Sequence, residues 1–196
     1  LSLFDSGLLN IGLVFGFIGL YVIFYYIELY ARDNSSISSV LGSYLLVILN
    51  ASSLIGRLVP GYYADMIGSI NVQIMFAVVS MVLSSCLLAI HNEAGLIWFC
   101  ILFGCSAGAF MALPAAGVVR LSSDPSKIGT RLGMTLGFVG CGVLVSNPTA
   151  GGILGSERHE GWVGLIAWTA CLLAVLSGFL IACRIVKVGV RSRTVL

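Results

Sequence analysis

Arg57 lies deep in the apolar run NASSLIGRLVPGYYAD (50–65), where a fixed positive charge needs a reason. A guanidinium stays charged at any relevant pH and presents a planar fork of donors that matches a carboxylate in two-point contact. At about 100° per residue, the helical repeat puts Asn50, Ser53, Arg57 and Gly61 on one stripe with Leu54 beside them. A polar stripe on an otherwise apolar helix faces protein or water, and an intramembrane arginine costs at least ~2.5–3.5 kcal/mol to insert. One reading is therefore a site for an organic anion. Another is structural: Arg57 precedes Asp65 by about 12 Å of helix, so its stem can snorkel to the rim and bond helix carbonyls there.

Other chemistries find no support in the residue spacing. His91 and His159 stand at helix ends far apart in sequence, and no nucleophile–base dyad forms, so the chain is not read as an enzyme. Cys86, Cys100, Cys105, Cys141, Cys171 and Cys183 lie in apolar segments with no C-x-x-C pair, which argues for packing rather than metal or disulfide bonds. All eight carboxylates fall at helix ends or in loops, so no proton relay is evident at mid-membrane. No cofactor is called for, and a net charge of +2 is too small to argue for nucleic acid.

The elements that carry these residues are set by composition. Hydrophobic residues make up 59% of the chain and charged residues 9%, against about 25% charged in a soluble domain. Mean hydropathy is +1.07. The chain is expected to be all-α and to sit in lipid. With about 20 apolar residues needed per span, six spans are expected, at roughly 8–28, 41–64, 72–91, 96–119, 129–154 and 162–185, within a unit covering 1–186. Residues 187–196 then form a basic tail. With the N-terminus in the cytoplasm, eight Lys and Arg fall inside and only Arg32 and Arg158 outside. Both termini are thus expected to be cytoplasmic.

Helices associate in lipid through small residues and close backbone contact. Gly129, Gly133 and Gly137 recur every four residues and form an expected packing face, while Pro114 and Pro148 mark places where a moving helix can bend. Gly104 and Gly108 give the fourth span its own small set. Asn10 and Asn147 are polar positions that could face a cavity, although Asn147 beside Pro148 also suits freed backbone groups. Tyr25, Tyr26 and Tyr30 fit interface anchoring, and Tyr21 and Phe15 lie deeper, where a cavity or a core role is open.

The segment GRLVPGYYADMIG resembles the G-x-x-x-D-x-x-G cytoplasmic turn of the major facilitator superfamily, with Gly61, Asp65 and Gly68 in the matching places. The basic residues usual after that turn are replaced by Ser69 and Ile70. NASSLIGRLVPGYYAD, GCSAGAFMALPAAGVVRLSSD and SKIGTRLGMTLGFVGCGVL resemble, in order, the C-terminal half of fungal monocarboxylate-transporter-like facilitators. The resemblance covers nearly the whole chain. It implies one half of a major facilitator bundle, built of two inverted three-helix repeats, in a secondary transporter of the symport class. It also implies a partner N-terminal six-helix half, a small-molecule substrate such as a monocarboxylate, and a multi-pass place among plasma-membrane lipids.

Since the chain opens on Leu1, a fragment or truncated product is expected. The resemblance implies that Asp65 meets a helix N-terminus of the opposite half and that Arg57 binds substrate; Asn50 and Ser53 of the polar stripe, and Asn147, are the further positions expected to face that cavity. Where monocarboxylate transporters carry an acid one turn before this arginine, Ser53 stands, so their proton-linked pair does not carry over. A third reading of Arg57 is an acidic partner in the other half. A rival function is a non-transporting half-bundle that pairs with or regulates a full transporter.

Overall fold

A computed structural model describes residues 3–34, 39–121, 128–155 and 158–188. Six long helices follow one another: α1 (Leu3–Asn34), α2 (Ser39–Ile67), α3 (Ser69–Cys86), α4 (Glu93–Leu121), α5 (Ile128–Leu154) and α6 (Arg158–Val188). Among the described residues there is no strand. Each helix is long and apolar enough to cross a membrane. Residues 35–38, 122–127 and 156–157, in three of the expected connections, lie outside the described residues, as does 189–196 of the expected basic tail.

The helices overrun the expected spans, α1 by six residues beyond 28, and the region around α3 departs further. The third helix begins earlier than 72 and ends at Cys86, where a 3-10 turn, Leu87–Ala89, completes the crossing. The expected facilitator turn is tighter than its motif suggests. Gly61 and Asp65 are still helical, and the reversal between α2 and α3 is made by Gly68 alone, at φ 96°. Its N–H closes α2 on the Ala64 carbonyl at 3.0 Å, and its own carbonyl accepts from Val72 at 3.2 Å. Such a φ is open to glycine and strained for other residues.

The helices pack in a pattern that repeats. The closest pairing is α2 with α4, followed by α1 with α6, α3 with α6, α3 with α4, and α1 with α5. Exchanging the first three helices for the last three maps α2–α4 onto α5–α1, α1–α6 onto α4–α3, and α3–α6 onto itself. Three crossings per unit is an odd number, so the second unit runs opposite to the first. This is the inverted three-helix repeat in its contacts.

Lipid supplies no hydrophobic drive between helices, so the pairs must be held by shape and hydrogen bonds. The α2–α4 seam shows this. A Cβ added to Gly56 would strike the Cys105 backbone, and one added to Gly108 would strike the Ser53 backbone. Gly104 lies as tightly against Leu49 and Ser52. Ser52 Oγ lies 3.1 Å from the Cys100 carbonyl across the seam. Ser80 of α3 and Ser106 of α4 share a short hydrogen bond. On α1, Gly12, Gly16 and Gly19 admit Phe179, Leu176 and Leu172 of α6 in the same way.

The expected glycine face of α5 behaves differently. Around Gly129, Gly133 and Gly137 nothing among the described residues lies within reach of an added Cβ. The glycine of α5 that packs closely is Gly142, against Val14 and Ile18 of α1. α5 is the least buried of the six spans, at 17%. Among the described residues its glycine ridge is bare.

Candidate functional site

The polar stripe of α2 divides in the fold. Ser53 turns into the α2–α4 seam, 2% exposed, and donates to the Asn50 carbonyl at 2.7 Å. Asn50 and Arg57 stay on an exposed edge, Asn50 donating to its own helix at the Leu46 carbonyl, 2.8 Å away. One and two heptads separate them from Ser43, which bonds Glu28 of α1 at 3.2 Å. Helical periodicity therefore carries the Ser43–Asn50–Arg57 line down the side of α2 that adjoins α1.

Arg57 makes one described contact, from Nη2 to the Sδ of Met111 in α4 at 3.8 Å. Among the described residues no carboxylate and no helix carbonyl accepts from it. The guanidinium thus stands at the mouth between α2 and α4 with its donor fork open. It lies seven residues inside the end of the span Leu41–Ala64, about 10 Å at 1.5 Å per residue. The side chain of Asp65 lies outside the described residues. Gly61 is exposed with open space beside it.

Across from this edge α1 presents rings. Phe17 and Tyr21 have centroids 6.3 Å apart, Tyr21 and Tyr25 5.9 Å, all three on one i, i+4 line. The foot of the line is fixed by Phe110 of α4, 5.3 Å from Phe17. Phe110 immediately precedes Met111, so the arginine and the foot of the ring line meet on adjacent residues of α4. Phe17 is buried, Tyr21 half-buried and Tyr25 53% exposed. Phe15, on another side of α1, stands apart from the line.

The far end of α1 is a fastening point rather than a site. Tyr30 donates to the Leu87 carbonyl at 2.7 Å, Trp162 Nε1 to Asp33 at 3.3 Å, and Tyr26 to the Asn147 carbonyl at 3.3 Å. The small recess there, lined by residues such as Val22, Ile27, Leu165 and Ile166, is apolar. At the opposite end Thr135 of α5 donates to Asn10 at 2.8 Å, which ties Asn10 into a helix contact. Asn147 is exposed on α5, with Pro148 next to it inside the helix. Pro114 likewise lies within α4, and Pro60, not singled out in the sequence, within α2. Each proline withdraws one backbone donor from its helix.

Sequence reasoning missed Met111 and the seam glycine Gly56. Both become visible only when α4 is placed against α2. Among the described residues no cluster of His, Cys, Asp or Glu could hold a metal.

No protein-family profile matches the chain. It is 38% identical over 165 residues to the MFS-type transporter dbaD of Emericella nidulans, an alignment covering 84% of this chain and 37% of that protein. It is 31% identical over 156 residues to the aspyridones efflux protein apdF of the same fungus, covering 80% and 31%. To the agnestins efflux protein AgnL12 of Paecilomyces divaricatus it is 30% identical over 182 residues, covering 92% and 41%. The chain thus spans well under half the length of these relatives. Its homologues are fungal MFS-type transporters, and with six membrane-length apolar helices it is a multi-pass integral membrane protein.

Proposed function

We propose that this chain is the C-terminal six-helix half of a facilitator-type secondary transporter that moves a small organic anion, such as a monocarboxylate, by alternating access. The observation that carries the anion is Arg57, open at membrane depth with Met111 as its described contact. An arginine serving only to tie off a helix end would bond carbonyls, and among the described residues this one bonds none. Its fork and the exposed Asn50 amide offer the donors an acid needs. Homology to proteins named as transporters and efflux proteins supports movement of a solute across a membrane.

The partner in this reading is an N-terminal six-helix half. The exposed side of α2 and the bare glycine ridge of α5 flank α1 and are the surfaces on which it would close. Solute would bind between the halves against Arg57 and Asn50, with Asn147 on the α5 side. Ser53 supports the seam behind them. Asp65 and Gly68 mark the turn at the cytoplasmic rim in this reading.

Arg57→Lys in the full-length protein tests it. Lysine keeps the charge and loses the two-point fork. A lost charge-assisted hydrogen bond of about 1.5–3 kcal/mol lowers carboxylate transport at least roughly tenfold at unchanged surface expression. Normal transport by the lysine variant would remove Arg57 from the site.

A further inference from the structure

Four tyrosines follow one another along α1, and they divide into two kinds. The hydroxyls of Tyr26 and Tyr30 are satisfied by backbone carbonyls of α5 and of the 3-10 turn. Those of Tyr21 and Tyr25 have no hydrogen-bond partner among the described residues. Both belong to the line that starts at Phe17 and Phe110, one residue along α4 from the contact of Arg57. A phenol hydroxyl left open to hydrocarbon is costly, so these two face water or a ligand. Interface anchoring suits Tyr25, three residues from Glu28, better than Tyr21, which lies one turn deeper on the same line.

We infer that the solute carries an aromatic or conjugated planar body as well as its acid, and that Tyr21 and Tyr25 are the residues that select it. The inference rests on the organic-anion reading above and specifies what that anion is attached to. Arg57 takes the acid, and the ring line rising from its level offers stacked and edge contacts along α1. The rings already lie 5.9–6.3 Å from one another, the spacing at which a further ring adds to the row. The open hydroxyls would meet polar substituents on that body.

Counterflow in proteoliposomes holding the full-length protein separates the terms, using benzoate and cyclohexanecarboxylate as probes. The two match in charge and nearly in size, and one is flat and aromatic. Benzoate should exchange faster by roughly fivefold, the worth of one aromatic contact. The Tyr21→Leu/Tyr25→Leu variant should bring the two rates together. Tyr21→Phe/Tyr25→Phe keeps the rings and should keep the ratio, which guards against misreading a folding defect. Equal rates in the unaltered protein, or a ratio unmoved in the leucine variant, would overturn the inference while leaving the anion reading intact. Exchange of neither acid would overturn the anion reading and this inference with it.

Discussion

At the residue scale, the fold separates neighbours that the helical wheel groups together. Asn50, Ser53 and Arg57 share a polar stripe, yet Ser53 is buried and bonded while the other two remain open. The stripe is legible because periodicity needs only the sequence. The fate of Ser53 is not, because it depends on how close α4 comes, and that is set by Gly56 and Gly108 meeting facing backbone. Gly56→Val is expected to force this seam apart and to destabilise the protein by about 1–3 kcal/mol, read as a lower thermal unfolding midpoint in detergent. Gly68→Ala acts through backbone strain instead. At φ 96° an alanine is expected to cost about 1–2 kcal/mol, read in the same assay, with no loss of packing.

At the element scale, glycine spacing by itself does not say which helix is close-packed. The Gly129–Gly133–Gly137 ridge is more regular than any other small-residue set, and among the described residues it touches nothing. The tightest contact belongs to α2 and α4, whose glycines are fewer and less regularly spaced. A sequence shows that a helix has a smooth face without showing what covers it. If α5 closes on a second half, Gly133→Ile leaves the six-helix unit intact and disrupts the pairing. Expressed as two separate halves, the protein should then show unchanged unfolding of this half and weakened co-purification of its partner.

At the scale of the whole molecule, the number of helices and their membrane length were legible from hydropathy, since a bilayer imposes one ruler on every span. The neighbour relations were not. They follow from an exchange of triplets that only the contacts display, with α1 reaching α6 and α2 reaching α4 across intervening helices. The charge bias of eight to two gives a further expectation, that both ends of the chain lie in the cytoplasm. Epitopes placed at either end should bind antibody only after the cells are permeabilised.

The pairing of α1 with α6 also sets a timetable for biogenesis. Of these six helices α1 is the first to leave the ribosome, and its main partner is the last of them. At about 5–20 residues per second, the 154 residues between Asn34 and Val188 take roughly eight to thirty seconds to make. Throughout that interval the notches at Gly12, Gly16 and Gly19 have no α6 to fill them. The nascent protein therefore closes late, and the wait is longest for the helix on which the rest converge.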